Sequence, residues 1–317
     1  AYYLANLGHE VHVYEAENVA GGVLYWGIPE YRLPKDVLAK EVKAIEQSGV
    51  SIHCNVRVGE TISFEALKSQ SDAVYVAIGT QQSRTLGIPG EDLPGVENGL
   101  ILLKRIGLKQ NFTVPERLIV IGGGSTAMDV ARTAVRLGSK EVTVVYRRTE
   151  REMPAGAEEI QEAREEGIRI ITLASPVRIM ERGGAVCGIE LVKRQLTDYG
   201  SDGRRRSAHI EGSEFVLECD GIITAINQDV DHKFHQTTQL DFDGKGRIDV
   251  HQFTSRTSEE GVFAGGDTSP WGANVAVNAI ADGKKAAVNI DKYLGGSGEL
   301  NMGEWMEIPV IPDMEVT

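Results

Sequence analysis

Apolar and polar positions along this chain fall into short blocks of two kinds. Short apolar or alternating runs read as strands at residues 10–14, 50–58, 73–78, 118–121, 141–146, 168–173, 177–181, 188–194, 214–219, 221–226 and 262–264. Helical spacing reads at residues 1–7, 34–48, 64–68, 100–108, from the turn after Ile121 to about Leu137, at 157–166 and at 274–294. In the last of these, Ala276, Ala279, Ile280, Ala286, Ala287 and Ile290 supply the apolar face. Gly8 and Gly49 close the first two helices, and Pro34 stands at a first-turn position. Residues 20–29 are glycine-rich and aromatic and predict no regular element, and residues 86–99 read as a connection. From Gly295 onward there is no periodicity, which suits a linker or a surface tail. Apolar strands that alternate with helices predict an α/β fold around parallel sheet.

The centre of the pattern is Val120-Ile121-Gly122-Gly123-Gly124-Ser125-Thr126-Ala127-Met128-Asp129. Strand, glycine turn, helix and second strand follow in the order of a dinucleotide-binding βαβ unit with G-x-G-x-x-A at its first turn. Gly122 allows the tight turn, Gly124 lets a pyrophosphate approach the backbone, and Ala127 lets the helix pack closely on the strand. The helix start presents unpaired N–H groups and a positive dipole end to the phosphates. The second strand ends in Tyr146-Arg147-Arg148, without the carboxylate that bonds the ribose 2′-hydroxyl of NAD. Guanidiniums suit a 2′-phosphate, so the site reads as one for NADP(H). A solvated basic turn, with Glu150 and Arg151 nearby, is the alternative.

The strand at residues 10–14 ends at Glu15, where a dinucleotide site places its ribose-binding carboxylate. The first strand and glycine turn of that unit would lie before Ala1, so the sequence reads as a piece of a longer protein; a native N-terminal helix with a surface Glu15 is the alternative. The apolar run 73–78 ends in Gly79-Thr80, and the run 262–264 ends in Gly265-Gly266-Asp267. Glycine at the carboxyl end of a buried parallel strand lets a ligand reach the backbone. Asp267, a carboxylate at a strand tip ahead of a helix, can bond a polyol hydroxyl of a cofactor; the alternative is an N-cap, although Asp267 stands several residues early for the helix that follows.

Composition narrows the classes. The 317 residues suffice for two domains, glycine contributes 36 of them, and the formal charge is -13. Such an acidic chain is a poor candidate for nucleic acid or an anionic membrane surface. No apolar run is long enough to span a bilayer and no signal peptide is visible, so the expected place is the cytoplasm. Cys54, Cys187 and Cys219 are isolated, which excludes a CxxC, zinc or iron–sulfur cluster spacing. His53 and Cys54 read as packing residues, and Glu158, Glu159, Glu162, Glu165 and Glu166 as a solvated helix face. Arg204-Arg205-Arg206 sits in a polar turn at 200–207.

Several stretches together resemble one family. They are Gly21-Gly22-Val23-Leu24, Gly27-Ile28-Pro29, Arg32-Leu33-Pro34-Lys35, the 122–129 turn, Tyr146-Arg147-Arg148, Met153-Pro154-Ala155 with Glu158-Glu159, and Gly265-Gly266-Asp267. The sequence is similar to the NADPH-dependent glutamate synthase small (beta) subunits and their flavoprotein relatives, from Ala1 to about Leu294. The resemblance implies two Rossmann-like dinucleotide domains, the NAD(P) domain inserted into the FAD domain. The FAD domain would take residues 1–98 and 256–295, without its first strand and glycine loop; the NAD(P)H domain would take 99–255, and a tail 296–317.

It further implies that Glu15 binds the adenosine ribose of FAD, that Gly22 and Leu24 lie along FAD, and that Val58 meets the adenine. Gly79 and Thr80 would close the cleft, Gly266 and Asp267 would meet the ribityl chain, and the helix starting at Asn274-Val275 would face the flavin pyrimidine. Gly123, Ser125, Thr126, Arg147 and Arg148 would hold NADPH. Ser125 stands where many relatives have Asn. The implied activity is hydride transfer from NADPH to FAD, with electrons passed to an iron–sulfur protein or a larger oxidoreductase subunit. No acid–base residue and no metal ligand set is expected, and the missing cysteine pair argues against a disulfide reductase. A free-standing ferredoxin:NADP reductase and an NADP-binding module without flavin are the alternatives. An unfinished sheet edge would favour pairing with another chain, possible as a homodimer.

Overall fold

The computed structural model describes residues 1–200, 203–226, 228–271 and 275–300. In chain order its helices are α1 (Tyr2–Asn6), α2 (Gly22–Trp26), α3 (Lys35–Gln47), α4 (Phe64–Ser69), α5 (Gly99–Gly107), α6 (Ser125–Arg136), α7 (Ala157–Glu165), α8 (His232–His235) and α9 (Ala276–Tyr293). The strands are β1 (Val11–Tyr14), β2 (Val50–His53), β3 (Val74–Val76), β4 (Gln82–Ser83), β5 (Val96–Asn98), β6 (Arg117–Ile121) and β7 (Glu141–Tyr146). They continue with β8 (Arg169–Thr172), β9 (Ala174–Arg182), β10 (Ala185–Tyr199), β11 (Arg205–Glu218), β12 (Gly221–Thr224), β13 (Gln228–Asp229) and β14 (Val262–Ala264). The α/β class holds. The chain divides into two compact units, one of residues 1–14, 44–78 and 237–317, the other of residues 15–43 and 79–236.

The second unit is built on a five-stranded sheet in the order β5-β12-β6-β7-β8. Every neighbouring pair in it is parallel. From β6 the chain steps outward to β7 and β8, while β12 lies on the other side of β6. The order therefore reverses between β6 and β12, the kind of place where open α/β sheets take ligands. Alternation along β6 explains the two cores. Leu118 and Val120 pack with Leu102, Met128, Val130 and Ile160 from α5, α6 and α7. Ile119 and Ile121 pack with Ile179, Ile189 and Leu191 from β9 and β10. Helices cover one sheet face, and the antiparallel sheet β11-β10-β9 covers the other.

Residues 15–43 belong to this unit. Trp26 is 2% exposed, and the Lys104 ammonium lies 5.0 Å from its ring centroid. A Cβ on Gly107 would stand 2.4 Å from the Trp26 carbonyl oxygen, so α5 needs glycine there for α2 to rest on it. The Tyr31 ring lies under the Arg136 guanidinium at 4.0 Å and the Arg132 guanidinium at 4.8 Å.

In the first unit β1 pairs with β2 and β3 with β14, both in parallel. Phe263, Ala286 and Ile290 form a core with Leu4, Tyr75 and Tyr293, so α1 and α9 pack over β3 and β14. The His9 ring bonds Asp291 across 2.7 Å. No helix among the described residues is long and apolar enough to cross a membrane.

The structure corrects several expectations. Residues 20–29 contain α2, which starts at Gly22 in a left-handed conformation that the glycine-rich sequence disguised. The strand expected at 50–58 stops at His53, because Asn55 turns at φ 61. His53 is not a plain packing residue: its ring stacks on His12 and Tyr14, and its Nε2 lies 3.0 Å from His12 Nδ1. The polar turn expected at 200–207 is shorter, since β10 reaches Tyr199 and β11 starts at Arg205. Of the tail, residues from 301 lie outside the described ones.

Candidate dinucleotide sites

The turn between β6 and α6 shows why three glycines stand in a row. A Cβ on Gly122 would lie 2.3 Å from the Ala225 carbonyl oxygen and 3.2 Å from Ala127 Cβ. One on Gly123 would lie 2.4 Å from the Tyr146 ring. Those two glycines are demanded by the protein itself. Gly124 is not: the nearest atom to a Cβ there is Pro154 Cβ at 3.9 Å. Its backbone is extended, at φ -96 and ψ 178, and no side chain caps the helix it begins. The first N–H groups of α6 therefore have no side-chain cap, beside a residue whose missing side chain the fold does not explain.

Ser125 is exposed and Thr126 half-buried at this helix start. The Ser125 hydroxyl donates to Glu159 Oε2 at 2.9 Å, and the same oxygen accepts the Gly156 N–H at 2.8 Å. Glu159 Oε1 pairs with Arg32 Nη2 at 2.7 Å, and Arg32 Nη1 donates to both Asp129 carboxylate oxygens at 2.8 and 2.9 Å. Burial raises the Asp129 carboxyl to about 6, against the downward pull of Arg32. Glu159 is thus a structural acid and not part of a solvated face. Glu162 and Glu166 likewise pair with Arg132, at 2.5 and 2.8 Å. Nothing in the local sequence singles out Arg32 within its Arg-Leu-Pro-Lys run, because its acidic partners lie 97 and 127 positions away.

At the end of β7, Arg147 is exposed and Arg148 is buried. Arg194 of β10 joins them: its pKa is lowered by burial and then by the charges of Arg147 and Arg148. Nothing in the sequence spacing points to it, because β10 follows in the chain only after α7, β8 and β9.

The residues expected around FAD fall in both units and are taken in their own unit. In the second, Glu15 is half-buried and its Oε1 accepts the Glu17 N–H at 2.9 Å. Gly22 and Leu24 lie in α2, and the Leu24 carbonyl accepts from Lys35 Nζ at 3.1 Å. Gly79 has φ 67, and Thr80 follows it, half-buried. In the first, Val58 bridges Ile62 outside any regular strand. Gly266, at φ 67, opens a 3-10 turn after β14, and its N–H donates to Asp282 Oδ2 at 3.1 Å. Asp267 is half-buried, has no hydrogen-bond partner among the described residues, and is raised by burial alone. Val275 caps α9 and is exposed; Asn274 lies outside the described residues. No cluster of metal-ligating side chains occurs among the described residues, and all three cysteines are free thiols.

The profile of the pyridine nucleotide-disulphide oxidoreductases matches residues 1–283. The chain belongs to that family. It is 40% identical over 301 residues to the NADP(+)-dependent formate dehydrogenase subunit beta of Moorella thermoacetica, covering 93% of this chain and 42% of that one. It is 37% identical over 303 residues to a putative glutamate synthase [NADPH] small chain of Cereibacter sphaeroides, covering 92% of this chain and 73% of the relative. The resemblance drawn from the motifs therefore stands. Among solved structures, Mycobacterium tuberculosis FprA in complex with NADPH superposes with a TM-score of 0.77 at 20% identity, over 92% of this chain and 82% of that one, which shows a shared fold. Family membership agrees with FAD and NADP as cofactors and with an NAD(P)H-dependent oxidoreductase class. The chain spans about half the length of several curated relatives, 42% to 50% of them.

Proposed function

We propose that this chain oxidises NADPH by hydride transfer to FAD and delivers the electrons to an iron–sulfur partner, as a glutamate synthase small-subunit-like flavoprotein of the cytoplasm. The carrying observation is Gly124, a glycine at a helix start that no neighbouring protein atom requires. The residues present fit both cofactors. Gly123, Ser125 and Thr126 would meet the pyrophosphate of NADPH, with Arg147 and Arg148 at its 2′-phosphate. Asp267 is a half-buried carboxylate with no hydrogen-bond partner among the described residues, which suits a ribityl hydroxyl. Gly266 and Val275 would line the flavin, Glu15 the adenosine ribose, Val58 the adenine, and Gly22, Leu24, Gly79 and Thr80 the rest of the FAD site. When bound, the nicotinamide supplies a hydride that the flavin accepts and passes on as single electrons.

The protein's own part is positional. Glu159 fixes the Ser125 hydroxyl, Arg32 bridges Glu159 and Asp129, and Tyr146 shapes the turn under Gly123. The names of the relatives, subunit beta and small chain, support work beside a larger subunit. Residues 1–98 and 256–295 would hold FAD, and 99–255 the pyridine nucleotide. The test is NADPH-driven reduction of a one-electron acceptor, with added FAD, using ferricyanide and then a bacterial-type ferredoxin. Turnover with both supports the reading. Turnover with neither, while NADPH still binds, reduces the chain to an NADP-binding module.

A further inference from the structure

β8 ends at Thr172 and β9 begins at Ala174, with Leu173 between them at φ 54. A leucine in the left-handed region is strained, and the sharp turn it makes joins two parts of the chain. Its N–H donates to the Arg148 carbonyl at 3.0 Å, and its own carbonyl accepts the Arg194 N–H at 2.7 Å. Arg148, just past β7, and Arg194, in β10, are thereby held by the same residue.

The Arg194 guanidinium is fixed by neutral groups only. Nη1 donates to Ser175 Oγ at 2.9 Å, Nε donates to Ser207 Oγ at 2.8 Å, and Nη2 donates to the Ser207 carbonyl. A guanidinium has five N–H donors, so one on each Nη is left over. No carboxylate pairs with Arg194 among the described residues. In the same unit Arg32, Arg84, Arg117 and Arg132 all pair with acids. Arg194 is tied through Leu173 to the backbone of Arg148 and feels the charges of Arg147 and Arg148, while its own guanidinium has no acid among the described residues, an arrangement that suits an anion.

We propose that Arg194 is a third arm of the 2′-phosphate site and helps set the preference for NADPH over NADH. The inference rests on the reading that NADPH binds at the 122–124 turn. A phosphate monoester offers three acceptor oxygens and close to two negative charges, which suits three guanidiniums better than two. Arg147 and Arg148 follow the βαβ unit directly, whereas Arg194 arrives from the inserted antiparallel sheet. That sheet thus contributes to cofactor choice as well as covering the parallel one.

The experiment titrates the full chain with NADPH and with NADH, following nicotinamide fluorescence. Wild type, Arg194→Gln, Arg194→Lys and Arg147→Gln are compared by the ratio of the two dissociation constants. Arg194→Gln is expected to cut the NADPH-over-NADH ratio roughly tenfold or more. Arg194→Lys, which keeps the charge and loses the fork, is expected to fall between it and wild type. A ratio that stays at the wild-type value in Arg194→Gln, with both nucleotides weakened alike, overturns the proposal and leaves Arg194 as a brace for Ser175 and Ser207. If Arg147→Gln abolishes the preference and neither Arg194 variant changes it, the Arg194 proposal alone falls. If wild type shows no preference at all, the NADPH reading fails and takes the proposal with it.

Discussion

Replacing Gly124 with alanine separates what the protein needs from what a ligand needs. The new Cβ would meet nothing closer than Pro154 Cβ at 3.9 Å, an ordinary contact. The backbone at φ -96 and ψ 178 suits any residue. Alanine is a poorer helix cap than glycine, by up to about 1 kcal/mol, and restricts the unfolded chain by ~0.4–1 kcal/mol. These oppose each other, so stability should change by less than about 1 kcal/mol. Gly123→Ala is the control: its Cβ would lie 2.4 Å from a Tyr146 ring that is itself anchored by a 2.7 Å bond to the Glu152 carbonyl. Overpacking of that kind costs ~1–3 kcal/mol of folding free energy. For NADPH the order reverses. A methyl group at Gly124 stands where the pyrophosphate approaches, and a similar ~1–3 kcal/mol weakens binding roughly 5- to 150-fold. Urea unfolding and NADPH titration of both variants give the two numbers. Wild-type NADPH affinity in a folded Gly124→Ala protein would refute the placement of the pyrophosphate.

Three further outcomes follow from the same geometry. Asp129 titrates near 6, above its unfolded value, so its favourable contribution is complete below about pH 4 and is lost as pH rises through 6. That amounts to about 2–3 kcal/mol across the window at ~1.4 kcal/mol per pH unit, and a Tm-against-pH series should lose this slope in Asp129→Asn. Arg32→Ala leaves Asp129 and Glu159 without their shared cation and should destabilise the chain by about 2–4 kcal/mol in urea unfolding. Asp267→Ala should purify with less flavin, read as the ratio of visible to ultraviolet absorbance. Its unfolding temperature without flavin should be unchanged or higher, because burial disfavours the unpaired carboxylate it removes.

The central unit was legible because its signals are local. An apolar strand, a glycine turn and an amphipathic helix lie within about twenty consecutive residues, and β6, α6 and β7 form where their period predicts. The roles of Gly122 and Ala127 follow from the same local rule, and a Cβ added at Gly122 would crowd the Ala225 carbonyl and Ala127. For Gly123 the local pattern points only to a ligand, since its need for glycine comes from Tyr146, some twenty residues on. What escaped depends on residues distant in sequence. Arg32 meets Asp129 across 97 positions, and Arg194 meets Arg148 through Leu173. β10 and β11 run longer than their apolar cores because the outer parts of the hairpin are polar and exposed, so alternation fades there. α2 is hidden by its glycines, which look like a loop until Leu38 and Tyr25 are seen packed against Gly21 and Trp26 is seen buried.

The proposed reaction is the reduction by NADPH of a flavin held by this chain. The most direct measurement is the visible spectrum of the purified protein, supplemented with FAD and then mixed with NADPH or NADH without oxygen. The expected result is a flavin spectrum that bleaches, and faster with NADPH than with NADH. A bound flavin that NADPH leaves oxidised would contradict it.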